Sequence, residues 1–206
     1  MSRGTSTEIT MERIQHLNVP GAFLLHGFLN EQECKELIQE SEKRGYRLAQ
    51  LNDGKGKSVM RSRVRNSKRA MWDVEESRVR ALWKRLKPFM PPSTEVQGKS
   101  FSPTGLNPRF RLLKYDGGEY FAKHHDAGHN GSLMTLIVYL SEGFRGGETN
   151  FYRGSRLVES VRPRQGTALL FFHDCHPLSP LHEGAPVAKS STVPKYSLRT
   201  DVYFQK

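Results

Sequence analysis

Beyond Arg109 the chain reads as a run of strand-length apolar segments parted by glycine-rich turns, and this texture constrains the fold more than any other feature. RFRLLKY alternates in polarity, LMTLIVYL is almost continuously apolar, and TNFY, RLVESV and TALLFFH follow in turn. The last segment, KYSLRTDVYF, alternates again: Tyr196, Leu198, Val202 and Phe204 fall on one side, Lys195, Ser197, Arg199 and Asp201 on the other. Side chains two apart on a strand share a face, so each segment presents two distinct surfaces. Short strands at regular spacing with glycine punctuation predict a sandwich or barrel.

The first half has a different pattern. A polar lead-in ends at Pro20, and GAFLLHGFL then reads as a short strand. Asn30 is placed to open a helix with Glu33 completing a capping box, Cys34, Leu37 and Ile38 lie on one face, and Gly45 supplies the stop. A second helix is expected from Asp73, with Glu76 three residues on and Val79, Leu82, Trp83 and Leu86 at helical spacing, ending near Pro88 or Pro91. The expected architecture is mostly β, with N-terminal helices buttressing a C-terminal β-core. At 206 residues this is one domain: a lead-in over 1–20, helical support and a basic loop over 21–104, and the β-core over 105–206.

Two cysteines, Cys34 and Cys175, cannot form a disulfide framework. The N-terminal residues lack the apolar centre of a signal peptide, and no apolar run reaches membrane-spanning length, the longest, Leu133 to Leu140, being strand-sized and broken by Thr135. A reducing cytoplasmic or nuclear compartment and no membrane partner are the expectations. The formal charge of +11 favours polyanionic or acidic partners. Much of it lies in Lys55 to Arg69, with seven basic residues and no acidic one. That stretch is either a solvated loop or an electropositive rim over a substrate, with nuclear import a third reading. No aromatic residue interleaves with its basic ones, which argues against a stacking platform for single-stranded nucleic acid.

Within the β-rich half, HHDAG places His124 and Asp126 two apart, so that one imidazole and one carboxylate can converge from an extended strand. With a histidine from a distant strand they would make a 2-His-1-carboxylate triad, which leaves open positions on a non-haem Fe(II). His182 is the ligand-like histidine downstream, with His173 and His176 as rivals; these two flank Cys175, where a zinc cluster would need a second cysteine. His125 points to the other face, and His129 lies in a Gly/Asn turn. Such a metal site also needs a cation for a bound 2-oxo acid, and Lys195 and Arg199 both qualify, sharing one face of the final strand.

Taken in order, RFRLLKYDGGEYFAKHHDAG, LMTLIVYLSEGFRGGETNFY, VRPRQGTALLFFH, LHEGAPV and KYSLRTDVYF resemble the prolyl 4-hydroxylase-like branch of the Fe(II)/2-oxoglutarate dioxygenases over residues 105 to 206. GFLNEQECKELIQESEKRGY is similar to that family's first supporting helix. The resemblance implies a double-stranded β-helix (jelly-roll) core supported by two or three helices. It implies His124, Asp126 and His182 as iron ligands, Lys195 as the anchor of the distal carboxylate of 2-oxoglutarate, and Tyr115 as a hydrogen-bond donor to that cosubstrate. Tyr139, with Thr149 of GGET, matches positions near the same carboxylate. Fe(II), 2-oxoglutarate and ascorbate as reductant are the implied cofactors. A peptidyl proline is the implied substrate, with other protein side chains, small molecules or methylated nucleic acid as alternatives, and a non-catalytic metal-binding β-sandwich as the rival from another class. Two departures stand out. The interval from His182 to Lys195 is longer than is usual in the family, which keeps Arg199 in play, and the last strand lacks the K-W…W pattern of collagen-type enzymes, which leaves the substrate open.

Overall fold

The structure, a computed structural model, describes residues 12–14, 17–49, 51–52, 58–59, 64–128 and 131–206. The chain enters through β1 (Glu12–Ile14) and β2 (Phe23–His26) and passes into α1 (Glu31–Arg44). Asn30 caps α1: its Oδ1 accepts from Glu33 N at 2.8 Å, and the Glu33 carboxylate accepts from Asn30 N at 2.8 Å. This reciprocal pair satisfies two of the donors a helix start leaves orphaned. Short strands β3 (Arg47–Leu48), β4 (Leu51–Asn52) and β5 (Ser58–Val59) lead to β6 (Lys68–Asp73) and α2 (Glu76–Leu86). Arg85 of α2 grips Glu33 with both terminal nitrogens, at 2.8 and 2.9 Å, and so ties the two helices together.

The second helix begins three residues later than its sequence predicts. Asp73 closes β6 instead, opposite Arg109 in register and paired with it at 2.9 Å; ladder hydrogen bonds outweigh a local capping preference. The strand-rich region also begins earlier than Arg109. Strands β7 (Thr94–Val96) and β8 (Lys99–Leu106) precede β9 (Arg109–Tyr115) and β10 (Phe121–His124). Then come β11 (Ser132–Tyr139), β12 (Thr149–Arg153), β13 (Arg156–Val161), β14 (Ala168–Phe172), β15 (Leu181–Gly184) and β16 (Lys195–Gln205).

These strands form the two antiparallel sheets of a jelly-roll core. The larger runs β1-β2-β14-β11-β16-β9-β6-β3, with β8 also on β16 and β7 on β8; the smaller runs β10-β15-β12-β13. Strand alternation divides the large sheet into two faces. Phe110, Leu112, Met134, Leu136, Leu170 and Leu198 join one cluster with Cys34 and Leu37 of α1 and Leu82 and Leu86 of α2. Each such buried side chain contributes roughly 1.5–3 kcal/mol by leaving water. The other face meets the small sheet, where Tyr139, Phe151, Leu169 and Phe171 form one apolar plug and Leu113, Tyr115, Phe144 and Val187 another.

The alternation of β16 is as read from the sequence, but its polar side is not a solvated one. Lys195, Ser197 and Asp201 are buried, facing into the molecule. The basic stretch also ends as ordered structure: Lys68 and Arg69 belong to β6, and Arg65 pairs with Phe121 as an isolated bridge. Residues 53–57 and 60–63 of that region lie outside the described residues, as does His129.

Candidate metal and cosubstrate site

β10 and β15 pair so that His124 stands directly opposite His182, with ring centroids 4.3 Å apart. Asp126 follows just beyond the end of β10, and its backbone carbonyl accepts from Asp174 N at 2.9 Å. His124 Nε2 lies 3.5 Å from Asp126 Oδ1 and His182 Nε2 3.8 Å from Oδ2, and one ligand atom from each residue falls within a 4.8 Å group. His125 between them is exposed at the cavity rim.

Both imidazoles are oriented by their own strands. His124 Nδ1 lies 2.8 Å from Ala122 O and His182 Nδ1 3.2 Å from Pro180 O. A ring nitrogen facing a carbonyl is satisfied as an N–H donor, which leaves each Nε2 with its lone pair toward Asp126; this backbone anchoring is how metal-binding histidines are commonly held. Burial pushes the His182 pKa down to about 4, only partly offset by Asp126, so the ring is neutral and able to ligate near neutral pH.

Asp126 is the electrostatic centre. Burial opposes its ionisation, but the positive charge around it, that of Arg199 foremost, holds the carboxyl well below the usual carboxylate range. Arg199 Nε donates to Oδ2 at 3.2 Å, and the Thr135 hydroxyl donates to the same oxygen at 2.8 Å. Behind Thr135, its oxygen lies 2.8 Å from His173 Nδ1, and His173 Nε2 lies 3.1 Å from Ser132 Oγ. Arg199 also pairs with buried Asp201 at 3.2 Å, which Arg111 holds from the other side at 2.9 Å. Oδ2 therefore already accepts two hydrogen bonds, and Oδ1 is the oxygen that would be left to ligate a metal.

His173 and His176, the rivals to His182, are held elsewhere. His173 is fully buried behind Thr135, and His176 stacks on Phe172 at 3.6 Å with Thr94 Oγ1 2.9 Å from its Nε2. Neither reaches the triad.

Across the cavity, Lys195 is buried, with its ammonium donating to Gly147 O at 2.7 Å and lying 5.0 Å from the Tyr115 ring centre and 5.7 Å from that of Tyr139. Burial lowers its pKa to about 8, and nearby Glu148 offsets only part of this. Among the described residues no salt bridge satisfies this ammonium. The GGET turn makes room for it. Gly146 and Gly147 both have φ of 73°, and a Cβ on Gly147 would lie 3.2 Å from Lys195 Cδ. Tyr139 is buried behind the wall with its hydroxyl 2.7 Å from Thr149 Oγ1, while Thr149, Tyr115, Lys195 and Arg199 line the cavity itself.

This cavity of about 370 Å³ lies between the sheets and is walled by the triad on one side and by β9 and β16 on the other. It brings together His124, Asp126, His182, Lys195, Tyr115, Thr149 and Arg199, and it sets Tyr139 one layer behind. Sequence reasoning missed Thr135 and Arg111 as parts of the site; it reached Arg65 and Arg69 only within the Lys55 to Arg69 stretch, and His173 only as a rival ligand. The signal for Thr135 was its place as the polar residue inside an apolar strand; for Arg111 it was a cation on the same face of RFRLLKY as Tyr115.

The donor set of two imidazoles and one carboxylate, opposite a buried cation with no salt bridge among the described residues, fits Fe(II) and a dicarboxylic 2-oxo acid. Comparison with known proteins agrees. The model of the 2OG-Fe(II) oxygenase superfamily matches residues 110–201, which span β9 to β16. The chain is 28% identical to probable prolyl 4-hydroxylase 3 of Arabidopsis thaliana, over 84% of this chain and 66% of the relative. To probable prolyl 4-hydroxylase 7 of the same plant it is 25% identical, over 82% and 59%. It therefore spans about three-fifths to two-thirds of the length of these relatives. Among solved structures, a Trichoplax adhaerens prolyl hydroxylase in complex with a hypoxia inducible factor peptide fragment matches with a TM-score of 0.66 at 20% identity, over 90% of this chain and 84% of that one. The viral collagen prolyl hydroxylase of Paramecium Bursaria Chlorella virus-1, as its 2OG complex, matches with a TM-score of 0.59 at 22% identity, over 88% and 95%. The chain is thus similar to 2OG-Fe(II) oxygenases over residues 110–201 and to prolyl 4-hydroxylases over most of its length, and it shares the fold of solved prolyl hydroxylases.

Proposed function

We propose that this chain is an Fe(II)- and 2-oxoglutarate-dependent hydroxylase that inserts oxygen into an unactivated C–H bond of a prolyl residue in a peptide or protein, with release of succinate and CO2. The observation that carries this reading is the placement, across one cavity, of a backbone-anchored His124–Asp126–His182 group opposite the unpaired ammonium of Lys195. The iron and its cosubstrate supply the oxidative chemistry when bound. Ascorbate would keep the metal reduced.

The protein's own part is geometric. Strand anchoring of His124 and His182 fixes both Nε2 lone pairs before metal arrives, so binding requires little rearrangement. Thr135 and Arg199 restrain Asp126 to one free oxygen. Lys195 anchors the far carboxylate of 2-oxoglutarate, and the same contact repairs its own desolvation. Tyr115 lies beside it to donate a hydrogen bond, while Tyr139 supports Thr149. Because Arg199 is already paired with Asp126 and Asp201, its proposed role is to hold the metal carboxylate, and Lys195 is the proposed anchor. No side chain is required as a general base.

The test is succinate production by the purified chain with Fe(II), 2-oxoglutarate, ascorbate, dioxygen and a panel of proline-containing peptides, with mass spectrometry for one added oxygen on proline. Succinate coupled to a hydroxylated proline supports the reading. Hydroxylation of a different residue or of a nucleoside would reassign the substrate. Absence of both succinate and an anaerobic Fe(II)–2-oxoglutarate charge-transfer band would leave a non-catalytic metal-binding module.

A further inference from the structure

The cavity wall carries more positive charge than a 2-oxoglutarate site uses. Five cationic side chains line it, Arg65, Arg69, Arg111, Lys195 and Arg199, against two carboxylates, Asp126 and Glu183. The carboxylates are already engaged: Asp126 by Arg199 and Thr135, and Glu183 by the Asn150 amide at 3.0 Å and the Tyr152 hydroxyl at 2.6 Å. Arg111 is matched by Asp201 behind the wall. Arg65 and Arg69 remain, and among the described residues neither forms a salt bridge.

Both show the strain of unmatched charge. Arg65 is 7% exposed; its Nε donates to Ser67 Oγ at 2.7 Å, yet its Nη2 has no hydrogen-bond partner among the described residues. Arg69 is half-buried, and after burial itself the guanidinium groups of Arg65, Arg111 and Arg199 all disfavour its charge. Ser67 and Tyr115 bond the Arg65 guanidinium only as neutral groups, and a buried cation with no carboxylate in salt-bridge contact is costly unless a ligand pairs with it. The basic run from Lys55, free of acidic residues, leads straight into these two positions.

Their distance from the metal position defines what part of a ligand they meet. Arg65 Cζ lies 4.5 Å from the Phe121 ring centre, and Phe121 stacks on His124 at 3.6 Å. One ring therefore separates Arg65 from the triad. An extended peptide advances roughly 3.3 Å per residue, so a group meeting Arg65 belongs to a residue one or two positions from the one being oxidised.

We propose that Arg65 and Arg69 form a carboxylate-binding subsite, and that the substrate is a peptide carrying an acidic residue one or two positions from the oxidised residue. Paired guanidinium forks match a carboxylate's planar, two-oxygen geometry. This subsite rests on the hydroxylase reading above, because its position is measured from that metal site.

The test separates binding from turnover. Fluorescently labelled, end-capped peptides with Glu or Gln flanking proline are titrated by anisotropy into protein loaded with Mn(II) and 2-oxoglutarate, which binds without reacting. The Glu peptide should bind at least tenfold more tightly at low salt, and the gap should narrow as salt rises. Arg69→Gln should remove most of the gap, and Arg69→Glu should shift preference toward a Lys-flanked peptide; Arg65→Gln is read the same way where its thermal melt shows a folded protein. Equal affinity for the Glu and Gln peptides, or a preference that survives every Arg69 variant, overturns the subsite. A Gln peptide with a free C-terminal carboxylate that matches the Glu peptide would overturn the side-chain assignment. Tighter, Arg69-dependent binding of a single-stranded oligonucleotide than of the Glu peptide would overturn the peptide class. If the Glu peptide binds with the predicted dependence but no peptide yields succinate, the subsite stands and the prolyl hydroxylase reading fails.

Discussion

Arg199 Nε donates to Asp126 Oδ2 at 3.2 Å, so an arginine on the last strand holds the carboxylate between the two histidines from behind. The same guanidinium reaches Asp201, and Asp201 in turn holds Arg111. The carboxylate that completes the triad thus belongs to a buried chain of alternating charge, Asp126–Arg199–Asp201–Arg111.

Disrupting this chain should be felt as lost metal affinity and not as lost cosubstrate affinity. Arg199→Lys keeps the charge but loses the fork that spans Asp126 and Asp201. Metal titration of the apoprotein should show a 10- to 100-fold weaker Mn(II) affinity, the range typical of residues that orient metal ligands. The 2-oxoglutarate requirement at saturating metal should change little. A large rise in that requirement with metal affinity intact would make Arg199 the anchor.

Lys195→Met should show the opposite pattern, with metal binding retained and the 2-oxoglutarate dissociation constant raised by about 10- to 100-fold, as expected for removal of a charge-assisted contact of roughly 1.5–3 kcal/mol. Titration monitored by the anaerobic charge-transfer band separates the two variants.

Because burial lowers the Lys195 pKa to about 8, the ammonium is present below that pH and is lost as pH rises through it. Affinity for 2-oxoglutarate should therefore be greatest below pH 8 and fall above. For the ligand-free protein the sign reverses. Between pH 8 and the usual lysine value of 10.5, the unfolded chain binds more protons at this position than the folded one, so this residue's contribution to stability rises with pH. Thermal melts of wild type and Lys195→Met across pH 7 to 10.5 should converge at the alkaline end.

The glycine turn provides a graded test. Gly146→Ala places a Cβ 2.4 Å from Pro186 O, a backbone atom that cannot swing aside, and should destabilise the fold severely. Gly147→Ala meets side chains at 3.1 to 3.3 Å, among them Lys195 Cδ. Its positive φ costs on the order of 1 kcal/mol for alanine, and displacement of Lys195 should raise the 2-oxoglutarate requirement. Chemical denaturation checks the first variant, and cosubstrate titration the second.

Thr135→Val removes the hydroxyl shared by Asp126 and His173 with almost no change in shape. Leaving a buried His173 nitrogen unpaired should cost about 1–3 kcal/mol of stability. The metal affinity should fall as well, because Asp126 Oδ2 loses one of its two donors. Unchanged metal binding in this variant would mean that Arg199 alone holds the carboxylate.

Much of the fold was legible because its signals are local. The Asn30–Glu33 capping box, the Gly45 stop and the alternation of β16 depend on residues near one another in the chain, and all three occur where the sequence puts them. Asp73 was misread because its strand partner, Arg109, lies 36 residues away and local capping rules cannot weigh it. His173 stood as a rival ligand because nothing near it in sequence reveals that Thr135 and Ser132 enclose it.

The sequence by itself determined the chemistry of the parts: the His124–Asp126 spacing, the separate His182 motif, the glycines of the GGET turn and a last strand with one polar face. Only the tertiary structure decided which cation does what. Lys195 and Arg199 lie on the same face of β16 four residues apart, and alternation alone treats them alike. The twisted sheets set Arg199 against Asp126 and Asp201 and leave Lys195 facing the cavity with no salt bridge among the described residues. The difference is physical: a strand's periodicity fixes the direction of a side chain, but its charge state and availability depend on what the other sheet brings opposite to it.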